Sequence, residues 1–529
     1  MNELELWNRY RKYLCVCPKI GLRIDISRML FPDDYLNNIG PRMSGAFAAM
    51  TALEKGAEAN VDEHRMVGHY WLRAPELAPS SDIRNSIERT VKSVKSFARD
   101  VHEQKIVPER GDGFYVVLVI GIGGSTLGAQ FVCDALGGGD DPMVVRFIDN
   151  TDPDGIDRTL EELDESLGQT LTIVISKSGD TRETRNAMLE VAAAYRRAGL
   201  NFAKHVVAIT REGSSLHQGA VREHWLATFP MWDWVGGRTS VLSAVGLLPA
   251  ALQGVDIDAL LSGARDCDVV TRSRTIAENP AALLALTWRC AIEQQRKHNM
   301  VVLPYRDRLI HFSRYLQQLV MESLGKEKNR KGKIVHEGLT VYGNKGSTDQ
   351  HSFVQQLRDG ADDFFVMFIE VLKDRREKSM MVEEDVTAGD YLHGFLYGTR
   401  AALDEQGRQS ITISLDELNA RTVGVLISLF ERAVGIYAEL IDVNAYDQPG
   451  VEAGKKAAER MIDLQRKVLV YLRAHRNAGF TAEEIATAIG EPSAAESILH
   501  LLEHAAASPD HGLVRAPEVR HWETRYRAS

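Results

Sequence analysis

The sequence predicts an α/β protein with two doubly wound parallel-sheet subdomains, a helical N-terminal segment and a helical C-terminal extension. Short apolar runs alternate with amphipathic helical segments twice, from about residue 115 and from about residue 300. Such alternation is typical of parallel strands joined by helices. Because 529 residues exceed one hydrophobic core, we expect divisions at 1–110, 111–285, 286–460 and 461–529.

The composition is that of an ordinary globular protein, with 44% hydrophobic and 26% charged residues. A net charge of −10 argues against a surface that binds nucleic acid, so any phosphate site needs locally concentrated cations. Five scattered cysteines without zinc-ligand spacing indicate reduced thiols in a cytoplasmic protein. We expect no signal peptide and no membrane span, because no apolar run reaches about 18 residues.

Residues 1 to about 110 read as mainly helical. Within them, residues 66–75 concentrate Tyr70, Trp71 and Arg73 in a few positions. We interpret this cluster as packing, since aromatic groups at such spacing more often fill a core than perform chemistry.

The first α/β unit begins with a strand at 115–120, which leads into the turn Gly-Ile-Gly-Gly-Ser at 121–125. Glycines between a strand and a helix let the backbone approach an anion closely. The spacing differs from the dinucleotide fingerprint, so no nicotinamide cofactor is implied. Further strands are predicted at 144–148, 171–175 and 205–209.

A second anion-binding turn, Ser-Lys-Ser-Gly-Asp-Thr-Arg-Glu-Thr at 176–184, follows the strand that ends at Ile175. Hydroxyls and a glycine at a helix start form a cradle for a phosphate monoester. The side chains expected to converge on one phosphate are those of Ser125, Ser176, Ser178 and Thr181. Lys177 is the candidate counter-charge, unless it points away. The alternative is a simple capping turn with Asp180 or Thr181 at the N-cap.

Arg238 lies in a Gly-Gly-Arg-Thr-Ser step that follows two tryptophans and leads into an apolar helix. A guanidinium fixed by two glycines and two tryptophans favours a functional role over that of a surface charge.

The second α/β unit begins with a strand at 300–303 and a helix predicted over 307–324. Gln318 and Glu322 stand four positions apart on one face of this helix, which Gly325 ends. Strands at 364–371 and 410–413 follow, so the second unit resembles a weaker copy of the first.

Two ionisable residues are ambiguous from pattern alone. His351 is predicted in the first turn of a helix, where the dipole favours the neutral imidazole of a proton shuttle, but it equally fits a capping or packing histidine. Lys455 would project from an early turn of a helix that starts at Pro449, or would be a solvated surface lysine.

Six motifs occur in the order seen in glucose-6-phosphate isomerases, and the chain resembles that family over about residues 60 to 460. The motifs are Gly-Ile-Gly-Gly-Ser at 121–125, Ser-Lys-Ser-Gly-Asp-Thr-Arg-Glu-Thr at 176–184, Trp-Val-Gly-Gly-Arg-Thr-Ser at 234–240, Gln-Gln-Leu-Val-Met-Glu-Ser-Leu-Gly-Lys at 317–326, Gly-Ser-Thr-Asp-Gln-His-Ser-Phe at 346–353 and Asp-Gln-Pro-Gly-Val-Glu-Ala-Gly-Lys at 447–455. The resemblance implies two sugar-isomerase (SIS-type) subdomains, a homodimer without metal or nucleotide cofactor, and interconversion of glucose 6-phosphate and fructose 6-phosphate.

The resemblance also implies roles for individual residues. Glu322 would be the base that moves a proton between carbons 2 and 1, and Arg238 would face the developing enediolate. His351, supplied by the other subunit, and Lys455 would open the sugar ring. The resemblance assigns phosphate binding to Ser125, Ser176, Ser178 and Thr181, with Lys177 lining the same turn. It places Gly124 among the substrate-binding residues and assigns sugar positioning to Gln318 and Gln448.

The tail at 461–529 resembles a helix-turn-helix or winged-helix module, in which Thr481 caps a helix. Its second helix, at 493–503, carries two glutamates and no lysine or arginine. Because phosphate contacts need cations, we expect packing or dimer support rather than nucleic-acid binding.

Two function classes remain. The leading one is an aldose-ketose isomerase, with acceptance of mannose 6-phosphate as a variant. The other is a non-catalytic sugar-phosphate sensor, which needs the phosphate turn but no base. Glu322, His351, Arg238 and Lys455 together favour the enzyme.

Overall fold

The computed structural model describes residues 2–32, 34–516 and 518–529. The chain forms two compact units, Met1–Asp447 and Gln448–Ser529. The second unit starts ahead of residue 461 because the helix that carries Lys455 is continuous from Pro449 to Ala474. None of the described helices is long and apolar enough to cross a membrane.

The N-terminal segment is largely helical, but it also contributes two strands to a sheet. Its elements are α1 (Glu3–Tyr13), β1 (Leu14–Cys17), β2 (Leu22–Arg28), α2 (Tyr35–Asn38), α3 (Gly40–Glu54), β3 (Glu58–Asn60), β4 (Arg65–Met66) and α4 (Ser81–His102). The sequence pattern did not indicate β1 and β2. Leu22, Ile24 and Ile26 are buried and alternate along β2, a period-two signal too short to stand out from its helical surroundings.

The first sheet is parallel throughout, which confirms the predicted doubly wound architecture. Its region contains β5 (Val116–Ile120), α5 (Leu127–Leu136), β6 (Val144–Ile148), α6 (Pro153–Leu163), β7 (Thr170–Ile175), α7 (Arg182–Arg197), β8 (Val206–Thr210), α8 (Ser215–Arg222), β9 (Ala227–Pro230), α9 (Ala244–Gln253), α10 (Ile257–Thr271) and α11 (Pro280–Gln295). The strand order is β6-β5-β7-β8-β9. The order therefore reverses between β5 and β7, which is where doubly wound sheets bind ligands.

The second sheet repeats this strand order. Its region contains β10 (Asn299–Pro304), α12 (Phe312–Leu316), β11 (Lys326–Lys328), β12 (Ile334–Glu337), β13 (Thr340–Tyr342), α13 (Val354–Asp359), β14 (Phe364–Val371), β15 (Met381–Glu383), β16 (Val386–Thr387), α14 (Ala388–Glu405), β17 (Ser410–Leu415) and α15 (Ala420–Leu440). The order is β1-β2-β17-β14-β10-β13. β13, β10, β14 and β17 are parallel, whereas β2 runs antiparallel to β17.

The helix predicted over 307–324 is interrupted. A 3₁₀ turn at Asp307–Leu309 precedes α12, and residues Gln317–Glu322 form a π-helix. The segment ends at Gly325 as expected, where the Gly325 amide donates to the Met321 carbonyl at 2.8 Å. π-Helical turns are rare in proteins, and those that do occur are frequently found at functional sites. The residues on this turn are therefore candidates for a functional role.

A buried ion-pair network lies where α3, α10 and α15 meet residues 66–75. The Arg73 Nε and Nη2 atoms donate to the Asp268 carboxylate at 2.7 and 3.0 Å, and Nη1 donates to Glu431. Arg432 donates to the same Asp268 carboxylate at 2.8 Å. Tyr70 and Trp71 beside this network are fully buried, as the packing interpretation of the motif predicts.

The second unit contains three helices followed by a two-stranded hairpin. Its elements are α16 (Pro449–Ala474), α17 (Ala482–Ala488), α18 (Ala495–Ala507), β18 (Leu513–Ala516) and β19 (Arg525–Ala528). Thr481 and Glu484 form a reciprocal capping box at the start of α17. Its own small core includes Leu472, Ile485 and Ile498.

Candidate active site

The two predicted anion-binding turns lie side by side at the carboxyl edge of the first sheet. β5 and β7 are parallel neighbours, with Ile120 paired to Val174. The glycine-rich turn at 121–125 leaves the end of β5, and the hydroxyl-rich turn at 176–181 leaves the end of β7. The strand order thus brings together two turns that are about 50 residues apart in sequence.

The turn at 176–181 is held by its own hydroxyl groups. The Ser176 Oγ atom accepts from the Gly179 amide at 3.1 Å and lies 3.0 Å from the Thr181 Oγ1 atom. Thr181 is the N-cap residue of α7, yet its side chain makes no capping hydrogen bond. The Asp180 carboxylate accepts from the Ser215 hydroxyl instead, at 2.7 Å. The N-cap residue of α7 therefore lacks the capping hydrogen bond that the simple capping-turn alternative predicts, and a helix N-terminus of this kind favours an anion.

Gly179 is required by the shape of this turn. Its φ is +81°, and an added Cβ would lie 2.6 Å from the Ser215 Oγ atom and 2.7 Å from the Leu216 amide nitrogen. Both the backbone conformation and the close approach exclude a side chain.

The Lys177 side chain points towards the segment at 232–235, which contains two tryptophans. Its Nζ atom donates to the Val235 carbonyl at 3.0 Å and to the Asp233 carbonyl at 3.2 Å. Burial lowers the pKa of Lys177 to about 8. The ammonium group therefore ties the 176–181 turn to the segment that leads to Arg238.

The glycine-rich turn packs directly against the segment that carries Arg238. A Cβ added to Gly124 would lie 2.3 Å from the carbonyl carbon of Gly237, and the Ser240 hydroxyl donates to the Gly124 carbonyl at 3.1 Å. A Cβ added to Gly123 would lie 3.2 Å from the Gln318 Nε2 atom. The turn thus touches both Arg238's segment and the π-helix of the second subdomain.

Arg238 is buried and held from two sides. Its Nε atom donates to the Ser323 hydroxyl at 2.8 Å, and Nη2 donates to the carbonyls of Ala445 and Asp447 at 2.5 and 2.9 Å. Burial lowers the pKa of the Arg238 guanidinium, while the carboxylates of Glu322 and Asp447 oppose that change. The guanidinium is therefore a fixed cation in a site largely shielded from water.

Glu322 faces the remaining nitrogen of Arg238. The Glu322 Oε2 and Arg238 Nη1 atoms are 3.5 Å apart, and within the described residues neither atom has a hydrogen-bond partner. The Glu322 side chain is 20% exposed. Gln318 and Glu322 both lie on the π-helix, so this irregular turn carries one residue that approaches the glycine-rich turn and one that faces Arg238. A carboxylate and a guanidinium with unused hydrogen-bonding capacity can act on a bound molecule.

A profile of the family described as phosphoglucose isomerase matches residues 42–394 and 399–471. The chain belongs to the phosphoglucose isomerase family. A glucose-6-phosphate isomerase from Geotalea daltonii is 59% identical over 97% of each chain, and one from Citrifermentans bemidjiense is 55% identical over 100% of each chain. The crystal structure of a glucose-6-phosphate isomerase from Chlamydia trachomatis superimposes with a TM-score of 0.79 at 25% identity, covering 87% of this chain and 91% of that chain.

Three further residues are implicated by resemblance to the phosphoglucose isomerase family: His351, Gln448 and Lys455. His351 ends a 3₁₀ turn at Thr348–His351 and is exposed, rather than lying in the first turn of α13 as predicted. The Asp349 carboxylate fixes that turn by accepting from the amides of Asn344 and Lys345. Gln448 and Lys455 belong to the second compact unit, where Gln448 precedes α16 and Lys455 lies on it.

Sequence reasoning missed three polar residues beside Arg238: Ser323, Lys326 and Asp447. All three occur within motifs typical of the phosphoglucose isomerase family, but no spacing rule gave them a partner. Their contacts join positions 238, 326 and 447, which only the fold brings together. Among the residues that the structure describes, no group of three or more histidine, cysteine, aspartate or glutamate side chains is placed to hold a metal ion.

Proposed function

We propose that this chain interconverts glucose 6-phosphate and fructose 6-phosphate, a step shared by glycolysis and gluconeogenesis. The observation that carries the proposal is the Glu322–Arg238 pair, 3.5 Å apart, beside two anion-binding turns in a member of the phosphoglucose isomerase family. The glucose-6-phosphate isomerases that match it at 59% and 55% identity extend over almost the whole chain.

The phosphate group would bind at the junction of the two turns. The groups proposed to hold it are the amides and hydroxyls of Gly124, Ser125, Ser176, Ser178 and Thr181. The N-terminus of α7, where Thr181 makes no side-chain capping hydrogen bond, adds a favourable dipole. Lys177 would support the turn through the carbonyls of Asp233 and Val235 rather than contact the phosphate directly.

Glu322 would transfer the proton between carbon 2 and carbon 1 of the open-chain sugar. One base serves both carbons because they lie side by side in a cis-enediol(ate). The Arg238 Nη1 atom would stabilise the enediolate oxygen, and its charge is worth most there because the negative charge develops only near the transition state. The contacts to Ser323, Ala445 and Asp447 fix the guanidinium before the substrate arrives.

Ring opening and sugar positioning would use the remaining residues. His351 and Lys455 would move a proton between the ring oxygen and the anomeric hydroxyl, and Gln318 and Gln448 would orient the sugar. We propose a homodimer in which His351 is contributed across the interface, consistent with its exposed position at the end of a 3₁₀ turn. The free thiols of all five cysteines support a cytoplasmic location.

A coupled assay that follows glucose 6-phosphate formed from fructose 6-phosphate tests the proposal. The wild-type chain should turn over, and Glu322→Gln should lose activity by about 10³-fold or more while still binding fructose 6-phosphate. Glu327→Gln is the matched control, because Glu327 is an exposed neighbour whose side chain is 62% accessible. Mannose 6-phosphate in the same assay measures selectivity.

The outcomes separate the alternatives. Binding of fructose 6-phosphate without turnover by the wild-type chain would identify a sensor rather than an enzyme. Wild-type turnover in Glu322→Gln would remove this carboxylate from the mechanism.

A further inference from the structure

A buried lysine lies beside Arg238 and has no role in the proposed chemistry. Lys326 begins β11, directly after Gly325 ends the helical segment, and is only 7% exposed. Its Nζ atom lies 2.6 Å from the Asp447 Oδ1 atom and donates to the Asp447 carbonyl at 3.0 Å. Burial lowers the pKa of Lys326, and the Asp447 carboxylate opposes that change. A buried ammonium group of this kind is costly unless its partner is fixed.

Lys326 and Arg238 share an acceptor. The Asp447 carbonyl accepts from the Lys326 Nζ atom at 3.0 Å and from the Arg238 Nη2 atom at 2.9 Å. The backbone of residue 447 is therefore held between the two cations. The carboxylate of Asp447 is bonded only to Lys326 among the described residues.

The contact between Lys326 and the Asp447 carboxylate bears on which carboxylate the Arg238 guanidinium faces. The Asp447 carboxylate is close enough to influence the Arg238 guanidinium, since the carboxylates of Glu322 and Asp447 both oppose the lowering of its pKa by burial. An unpaired carboxylate at that position would attract the guanidinium and neutralise it. In the structure Lys326 binds this carboxylate, and the Arg238 Nη1 atom faces Glu322.

We propose that Lys326 is a positioning residue for the isomerisation, which keeps the Asp447 carboxylate away from Arg238 so that the guanidinium stays available to the enediolate. The inference rests on the proposed function and deepens it. Lys326 acts through Asp447 and Arg238 and does not contact the substrate. A purely structural ion pair between β11 and residue 447 would make different predictions, which the following variants separate.

Lys326→Met in the full-length chain should lower kcat for fructose 6-phosphate by about 10- to 100-fold, with KM changed by less than about threefold. The matched control is Lys328→Met, in the same strand, whose side chain is 56% exposed. It should keep wild-type kcat. Lys326→Arg, which retains the charge, should recover part of the lost rate.

Adding Asp447→Asn to Lys326→Met is the decisive step. If the freed carboxylate captures Arg238, its removal should restore kcat at least severalfold relative to Lys326→Met. If the ion pair only supports the fold, the double variant should be as slow as Lys326→Met or slower. Thermal melting of each variant shows whether it is folded.

A crystal structure of Lys326→Met tests the inference without turnover. We expect the Arg238 guanidinium to lie on the Asp447 carboxylate instead of facing Glu322. An unmoved guanidinium, a wild-type kcat or an absence of rescue by Asp447→Asn would overturn the inference. Failure of the wild-type chain to convert fructose 6-phosphate would instead overturn the proposed function, and the crystal structure would still decide the role of Lys326.

Discussion

Two buried arginines in the first compact unit are used in opposite ways. Every guanidinium nitrogen of Arg73 is bonded, to Asp268, Glu431 and Ser428. Arg238 is equally inaccessible but keeps its Nη1 atom without a hydrogen bond in the described part of the chain, 3.5 Å from Glu322. A cation whose bonds are all internal stabilises the fold, whereas one with an unused donor can stabilise charge on a bound molecule.

Of the two arginines, Arg73 is the one whose substitution should cause the largest loss in free energy. Arg73→Met would leave Glu431 as a buried carboxyl group without its guanidinium partner and Asp268 with Arg432 as its remaining guanidinium partner, and we expect a loss of about 3–5 kcal/mol in the free energy of unfolding. Urea denaturation measures it. The activity of the fraction that remains folded should be close to that of the wild type. A stable variant with lost activity would mean that the two arginines do not differ as described.

Arg238→Lys should show the reverse pattern. Lysine keeps the positive charge, but its ammonium group lacks the planar guanidinium geometry with which Arg238 reaches Ser323, two carbonyls and Glu322 at once. We expect kcat for fructose 6-phosphate to fall about 100-fold, which corresponds to about 2.7 kcal/mol in the activation free energy. The free energy of unfolding should change by less than about 1 kcal/mol. A large loss of stability with unchanged kcat would assign Arg238 a structural role.

Glu431 makes the Arg73 network sensitive to pH. Burial raises the pKa of this carboxyl from 4.5 to about 7 despite the neighbouring guanidinium of Arg73. Between these two values the folded chain holds a proton that the unfolded chain releases, so the free energy of unfolding falls as pH rises from about 4.5 to 7 and is then level. Glu431→Gln should remove this decline, which amounts to about 1–3 kcal/mol.

Denaturation curves of the wild type and of Glu431→Gln at several pH values measure the difference. Below pH 4 both should lose stability in parallel, because the Arg432 and Arg73 guanidiniums hold the pKa of Asp268 below its usual range. Equal slopes between pH 4.5 and 7 would contradict the raised pKa of Glu431.

Gly124→Ala probes how tightly the Arg238 site is packed. The new methyl group would lie 2.3 Å from the Gly237 carbonyl carbon, so the glycine-rich turn or the Arg238 segment must move. We expect kcat/KM to fall about tenfold, because small displacements of positioning groups are costly in catalysis. Gly139→Ala is the control, since its added Cβ meets nothing within 4 Å. Wild-type kinetics for both variants would show that the contact is loose.

Much of the fold could be predicted because parallel strands between helices give long apolar runs. The bounds of β6 and β14 match the predicted 144–148 and 364–371. β1 and β2 could not be found in this way, because β1 pairs with β2, and β2 in turn pairs with β17, whose residues lie near the other end of the unit. The π-helix could not be predicted for a different reason. Over six residues, side-chain periodicity does not distinguish a π-helix from an α-helix.

The candidate site likewise contains residues that the sequence indicated and residues that only the fold reveals. Local chemistry indicated Arg238 and the two turns, since glycines, hydroxyls and helix starts are visible in sequence, whereas the role of Glu322 came from the resemblance to glucose-6-phosphate isomerases. The direction of Lys177 was left open, because a flexible side chain is directed by carbonyls 56 and 58 positions away. Lys326 and Asp447 received no role for the same reason: their partner is defined only after two distant segments meet.

The antiparallel pairing of β2 with β17 sets an order of events during protein synthesis. Leu30, just beyond β2, hydrogen-bonds through its amide to Gln409, 379 positions later in the chain. At 5–20 residues per second, the ribosome needs roughly 20–75 s to deliver that partner. The first sheet, whose strands lie within 116–230, can assemble in the meantime, whereas β2 leaves the exit tunnel as an unpaired edge that invites misassociation. The half of the molecule that carries the two proposed anion-binding turns can thus form well before the second sheet.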